Sequence, residues 1–390
     1  MTTVFVTNGM LSKSLAITRS LGKRGHRILV GEKIRFHATG FSKYTEQTFL
    51  YPDPKTAPDA FFDWLRETLI REKVDVLFPM DEDTMEIVVR RQGELQGICR
   101  LPVPSLESYQ IASDKGETMK VAMAAGVSCP QTIQPQFGAQ VDLDELRQLV
   151  QALEFPVVIK PRMSSGSRGV RFIESLEELL RVYPDVHAEY PNPLLQESIP
   201  PGTKYDVGLS YDREHRLTGT FIQKQIRNYP IQRGPSTIHE SVEFPEVLQE
   251  AIRLMEHVPW FGVVDVEFIV DPRSGVPKLL EINPRFWSSV HLSIRCGVDF
   301  PYLLHQHALD LPVEEMHTYR TGVQGRALLP GDVLHYLSNP NRREMNPPFW
   351  SFSTPDDTVS KEDPLPTVGF LLSALRFAWN PQMWKFIIRR

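Results

Sequence analysis

The sequence predicts an α/β unit followed by a larger α+β region, arranged as at least two domains. Three observations predict it. Strand-like and helix-like stretches alternate up to about residue 105, a two-helix, multi-strand segment spans roughly 127–195, and two acid-bearing strands meet at a turn around Ser274. A chain of 390 residues is long enough to bury more than one hydrophobic core.

The first unit opens with an apolar strand, Val4-Phe5-Val6, then the turn residues Thr7-Asn8-Gly9, then Leu11, Leu15 and Leu21 at roughly helical spacing. A second strand begins at His26, helix formers run from Ala60 to Glu72, and Val74 to Phe78 reads as a further parallel-type strand. The shape is Rossmann-like, but Asn8-Gly9 lacks the glycine pattern that holds a dinucleotide pyrophosphate. Loops at the carboxyl ends of parallel strands line crevices, so Asn8, Gly9, Asp81 and Asp83 are candidate rim residues, with turn stabilisation the commoner role for each. Pro102 and Pro104 close this unit, and Ser113-Asp114-Lys115 opens a helix that ends near Gly126. Asp142 to Leu153 then reads as an amphipathic helix feeding the strand Pro156 to Lys160. Gly169 to Ile173 is a short strand, and Ser175 with Glu178 caps a helix from Leu176. From Tyr319 onward proline, asparagine and aspartate rise.

Composition bounds the function. With 48 acidic against 43 basic residues the formal charge is -5, which gives no broad basic field for nucleic acid. Cys99, Cys129 and Cys296 are isolated and fit reduced thiols in a cytoplasmic protein. No secretory leader and no long apolar span is evident. The tail from Val368 to Ile388 is rich in Leu, Phe and Trp and ends in Arg389-Arg390; docking on its own domain or on a second subunit is preferred over a peripheral membrane contact.

The richest segment is Gly262 to Arg285. Both halves alternate polar and apolar residues, with Asp271-Pro272-Arg273-Ser274-Gly275 as a turn between them. A register centred on Ser274 sets Glu267 opposite Glu281 and Asp265 opposite Asn283, all on one face. Facing carboxylates destabilise a sheet unless something compensates, and hard oxygen ligands of this kind suit Mg²⁺. A solvated face salt-bridged to Lys278 or Arg285 is the alternative.

Upstream, Lys160 ends the apolar strand Phe155-Pro156-Val157-Val158-Ile159-Lys160, where a buried ammonium needs an anionic partner. Ser164-Ser165-Gly166-Ser167-Arg168-Gly169 is a small-residue loop whose amides and hydroxyls suit phosphate oxygens, although it is not a Walker loop. Lys115, Lys224, Arg227 and Arg233 are further cationic candidates.

Taken in order, Pro-Val-Val-Ile-Lys-Pro, the Ser/Gly loop, Leu-Gln-Glu-Ser-Ile-Pro and Asp-Val-Glu-Phe followed by Leu-Glu-Ile-Asn-Pro-Arg resemble the ATP-grasp superfamily. The likeness is to carbamoyl phosphate synthase large-chain halves, biotin carboxylase and related carboxylate-amine ligases. The resemblance implies an ATP-grasp fold: an N-terminal Rossmann-like preATP-grasp domain (1–105), a linker helix (106–126), a small lid (127–195), a larger antiparallel-sheet nucleotide-binding subdomain (196–318) and an extension (319–390) without an assigned role. It implies that Lys115 and Lys160 reach the nucleotide and that Ser164 to Gly169 cover its β- and γ-phosphates. Glu197, Ser198 and Ile199 meet the adenine edge, largely through backbone groups, and Asp206 stands near the acidic ribose contact with a shift of one or two positions. Glu267, Glu281 and Asn283 match the ligands of one or two Mg²⁺ ions, with Mn²⁺ a substitute, and Arg285 stands beside the transferred phosphoryl group.

The implied reaction is ATP-dependent activation of a small-molecule carboxylate as an acyl phosphate, followed by transfer to an amine or a thiol. Lys224, Arg227, Tyr229, Arg233, His239 and Trp287 are candidates for the acceptor site. His305 and His307 read as structural. A kinase-like enzyme that releases a phosphorylated product and a non-catalytic ATP-binding regulator are the competing readings, and a homodimer is left open.

Overall fold

The computed structural model describes residues 1–378 apart from 165, 167, 232, 233 and 352, with backbone alone at 376–378. The chain begins with β1 (Thr3–Val6), α1 (Ser12–Lys23), β2 (Arg27–Glu32), β3 (Thr45–Leu50), α2 (Pro58–Arg71), β4 (Val76–Phe78) and α3 (Glu82–Arg90). These strands form a parallel sheet in the order β3-β2-β1-β4. Strands β1, β2 and β4 are largely buried because both faces are covered, whereas the edge strand β3 is polar and mostly exposed. Phe5, Leu29 and Leu77 pack on α2 and α3, while Val4, Val6, Ile28 and Phe78 face α1 and a second layer described below.

Two helices, α4 (Leu106–Ser113) and α5 (Lys115–Ala124), link this unit to the rest. The sequence reading anticipated one helix here. Asp114 separates them: its side chain caps α5 by accepting from Gly116 N at 2.8 Å, which fixes where Lys115 points.

The segment in which the resemblance implies a lid holds β5 (Thr132–Ile133), α6 (Leu143–Val150), β6 (Val157–Lys160), β7 (Arg171–Ile173), α7 (Leu176–Glu189) and β8 (Leu194–Glu197), with sheet order β5-β8-β6-β7 and antiparallel pairing throughout. Val157, Ile159 and Leu195 bury against Leu146, Val150, Leu179 and Tyr183 from the two helices.

The larger sheet contains β9 (Lys204–Tyr211), β10 (Leu217–Asn228), β11 (Ser236–Ser241), β12 (Gly262–Val270), β13 (Pro277–Asn283) and β14 (Gln324–Arg326), ordered β13-β12-β9-β10-β11-β14 and antiparallel. Helix α8 (Pro245–Met255) joins α5 against one face, where Val207, Leu209, Val264, Val266 and Ile282 point. The other face carries Asp206, Gly208, Asp265 and Glu267 by the two-residue period. Beyond it α9 (Val290–Cys296) and α10 (Phe300–Ala308) form the second layer that buries Val4, Val6 and Phe78, so the N-terminal sheet and the larger sheet share one core.

The extension does not stand apart. It supplies β14 to the larger sheet, then α11 (Val333–Ser338) and α12 (Leu365–Ala378), and its aspartates reach back to both domains. Arg227 meets Asp332 at 2.7 Å, Arg295 meets Asp357 at 3.3 Å and Arg19 meets Asp363 at 3.0 Å.

Candidate active site

The two halves of the acidic hairpin pair as the sequence indicates around the acids: Glu267 lies opposite Glu281 and Asp265 opposite Asn283. Nearer the turn the expected register fails. Phe268 pairs with Leu279, so Leu280 is an extra residue in β13. The bulge changes parity: Leu279 and Ile282 both enter the core although three positions apart, while Leu280 and Glu281 both line the cleft.

That cleft has a volume of about 360 Å³ and lies between the lid, the larger sheet and the first turns of α1 and α3. One wall is acidic. Asp206 on β9 neighbours Glu267 on β12, and burial, then the Glu267 charge, pushes its carboxyl up to about 7. Asp265 is raised as well, by burial and then by Asp206. Its Oδ2 accepts from Asn283 Nδ2 at 3.1 Å, but its buried Oδ1 has no partner among the described residues. A buried carboxylate oxygen without a donor is costly, and a hard cation is one group that relieves it. No three His, Cys, Asp or Glu side chains among the described residues form a preassembled metal cage. Two carboxylates and an amide, completed by phosphate oxygens, suit Mg²⁺ without one.

Cations stand against these acids. Lys115, at the start of α5, lies 3.2 Å from Glu281 Oε2 and donates to the Ser164 carbonyl at 2.7 Å, tying linker, loop and acid together. Lys160 stands at the end of β6 over the bulge, 3.4 Å from the Leu280 carbonyl. Burial lowers it to about 8, against the pull of Glu281. Lys204 reaches Glu267 Oε1 at 3.3 Å; burial opposes its charge, but Glu267, with Asp206 and Glu281, raises its pKa. Burial likewise disfavours the Glu281 carboxylate, yet Lys115 and Lys160 hold its pKa below the usual range.

At the far end Arg285 bonds Glu82 Oε1 through Nε at 2.7 Å. Glu82 is held down at about 2: burial works against its charge, and Arg285 and Lys13 overcome it. Lys13 on α1 is buried, donates to the Phe286 carbonyl at 2.9 Å and makes no ion pair among the described residues. Burial and then Arg285 lower its pKa. The sequence reading passed over Lys13 and Glu82. They come within reach of Arg285 only when the first and third domains close on each other, and no local pattern signals that.

Other expected residues fall as follows. Gly166 lines the cleft, and Gly169 has φ +75, where an added Cβ would lie 2.6 Å from Pro161 Cγ. Arg168 is exposed on the loop, and Ser165, Ser167 and Arg233 lie outside the described residues. Glu197 is held by Lys278 at 3.0 Å and by Arg273, and its N–H already bonds the Gln131 carbonyl at 2.8 Å. Ser198 and Ile199 follow it where the chain leaves the lid.

Several acceptor-site candidates are turned elsewhere. Lys224 does not line the cleft: it shares a strand face with Tyr205 and pairs with Glu240 at 2.7 Å, while its neighbours Gln223 and Gln225 bond Asp206, each at 2.7 Å. Arg227 is buried against Asp332, and His239 is fully buried 3.7 Å from Asp357. His305 and His307 bond Thr2 Oγ1 and Thr218 Oγ1, both at 2.8 Å, in keeping with structural roles. Trp287 does line the cleft, packed so closely on Gly208 that a Cβ there would lie 2.3 Å from its ring.

Residues 112–289 match the family model described as the ATP-grasp domain. The fold agrees with it: a biotin carboxylase from Campylobacter jejuni, solved as a β-γ-ATP complex, superposes with a TM-score of 0.69 at 16% identity, covering 83% of this chain and 74% of that one. The chain has the ATP-grasp fold. An L-amino acid ligase from Bacillus licheniformis gives a TM-score of 0.61 at 16% identity, over 80% and 75% of the two chains. In sequence, this chain is 26% identical over 255 residues to an acetyl-CoA carboxylase from Dictyostelium discoideum, a match that covers 63% of this chain and only 11% of that much longer protein.

Proposed function

We propose that this chain is an ATP- and Mg²⁺-dependent ligase that activates a carboxylate as an acyl phosphate and couples it to an amine, releasing ADP and phosphate. The observation that carries the reading is the facing pair Glu267 and Glu281, beside the unpartnered Asp265 oxygen, with Lys204 on Glu267, Lys115 on Glu281 and Lys160 lining the same cleft. Glu267, Glu281 and Asn283 would hold the metal, which when bound supplies positive charge against the phosphoryl oxygens.

The chain's own groups do the rest. Lys160 and Lys115 meet the phosphates from above, and the loop from Ser164 to Gly169 closes over them and excludes water that would hydrolyse an acyl phosphate. Ser198 and Ile199 offer backbone groups to the adenine edge, and Asp206 stands near the ribose or the metal. Arg285, oriented by Glu82, faces the transferred phosphoryl group. Lys13 receives the carboxylate, so that the oxygen attacking the γ-phosphate is fixed before the amine arrives at the acyl carbon. The likeness to an L-amino acid ligase makes amino acids the first substrates to try.

The test incubates purified protein with Mg²⁺, ATP and pooled amino acids or small carboxylic acids, measuring ADP, phosphate and product mass together. Ligation gives ADP and phosphate in step with a condensed product. A stable phosphorylated product without coupling replaces the reading with a kinase-like one, and absence of both nucleotide binding and turnover across the panel sinks it.

A further inference from the structure

Helix α12 is docked the wrong way round for a helix of a globular domain. Its buried positions are the small ones, Pro366, Gly369 and Ser373, and a Cβ at Gly369 would lie 2.6 Å from Phe41 Cδ2 and 3.0 Å from the His37 carbonyl. Its leucines and valine face out, with Phe370 half-buried: Leu365, Val368, Leu371, Leu372 and Leu375 are 38% to 61% exposed, at a spacing that makes one stripe. A contiguous apolar stripe on a surface marks a partner.

The surrounding charge says which partner. Phe36, also exposed, stands 6.4 Å from Phe41 beneath the helix, flanked by exposed Arg35 and Lys43. The two acids just before the helix are engaged, Glu362 with Lys23 at 2.6 Å and Asp363 with Arg19 at 3.0 Å. From Pro364 to the end the sequence has no acid and carries Arg376, Lys385, Arg389 and Arg390, although the whole chain is at -5. Two copies meeting through this stripe would bring Arg35 and Lys43 of each toward those of the other, whereas anionic head groups complement them. Among the described residues no helix is long and apolar enough to cross a membrane.

We propose that α12 lays its leucine stripe on an anionic lipid surface, with Phe36, Arg35 and Lys43 at the same interface. The full chain is mixed with vesicles of three parts phosphatidylcholine to one part phosphatidylglycerol and sedimented. Wild type is expected in the pellet, and Leu371→Glu/Leu375→Glu to bind at least about tenfold more weakly, since it puts charge on the contacting face. Both positions are exposed, so nucleotide affinity and thermal midpoint should stay unchanged. Arg35→Glu/Lys43→Glu, which keeps the stripe, should weaken binding at least about fivefold. The idea is overturned if wild type stays in solution, if the leucine variant sediments equally well, or if wild type is a dimer that this variant dissolves.

Discussion

In the extension, the fully buried Asp332 accepts from Arg227 Nη1 and Arg326 Nε, each at 2.7 Å, and from Thr237 Oγ1 at 3.3 Å. In the cleft, Asp265 is nearly as buried yet accepts from a single amide, Asn283 Nδ2, at 3.1 Å, and leaves Oδ1 without a partner among the described residues. Both are aspartates held near arginine. The first is saturated by the protein itself, which makes it a clamp between β10, β14 and the chain that follows. The second is left short of a donor and faces a cleft lined with lysines, which makes it a place for something the protein does not supply. Burial of a carboxylate is common to both, and the difference in what satisfies it separates a structural acid from a functional one.

The largest effect expected from breaking this contrast is at the clamp. Asp332→Ala leaves Arg227 and Arg326 buried without their counter-charge and should cost about 3–5 kcal/mol, read from the midpoint of urea unfolding. Next is Glu281→Gln, which keeps the shape of the cleft but removes a metal ligand and the partner of Lys115. Turnover should fall at least about a hundredfold, roughly 3 kcal/mol, with little change in the thermal midpoint. Equal turnover would count heavily against the metal assignment. Third is Lys13→Met, which fits the same buried space without the charge. It should raise KM for the carboxylate about tenfold to thirtyfold and leave KM for ATP nearly unchanged; a matching rise in both would place Lys13 in the scaffold.

How much of this was legible in the sequence depended on how local the cause was. The pairing of Glu267 with Glu281 followed from a two-residue period and a turn, both readable within a short stretch. The bulge at Leu280 was not, because one inserted residue leaves no mark until core packing selects which leucine goes in. Lys224 has the charge an acceptor site needs, but strand parity turns it to the face of Tyr205 and sets Gln223 and Gln225 on Asp206, with Gln225 lining the cleft. Lys13, Glu82 and Arg285 lie in three separate parts of the sequence, and only the shared core of the two sheets brings them together. The extension showed as a change of composition alone, since its strand is three residues long and its hold on the protein is through aspartates that read as surface.

The smallest effect expected is also the one that sharpens the comparison most. Asp357 in the extension is raised to about 8, by burial first, with Arg295 too weak to reverse it. A carboxyl whose folded pKa lies above its unfolded value stabilises the fold in acid, and that contribution is lost as pH rises through about 8. Wild type should therefore lose stability between neutral pH and pH of about 9, and Asp357→Asn, which mimics the protonated acid, should lose less, by about 1 kcal/mol or a few degrees in Tm. Asp206 has the same sign with its value at about 7, so it adds a slope between its unfolded value and neutral pH. The two should respond differently to ligand. ATP with Mg²⁺ should flatten the part due to Asp206, because a cation replaces the proton there, and leave the part due to Asp357 untouched. A ligand effect on both, in a pH series of thermal melts, would show that the cleft and the extension around Asp357 are one electrostatic unit rather than two.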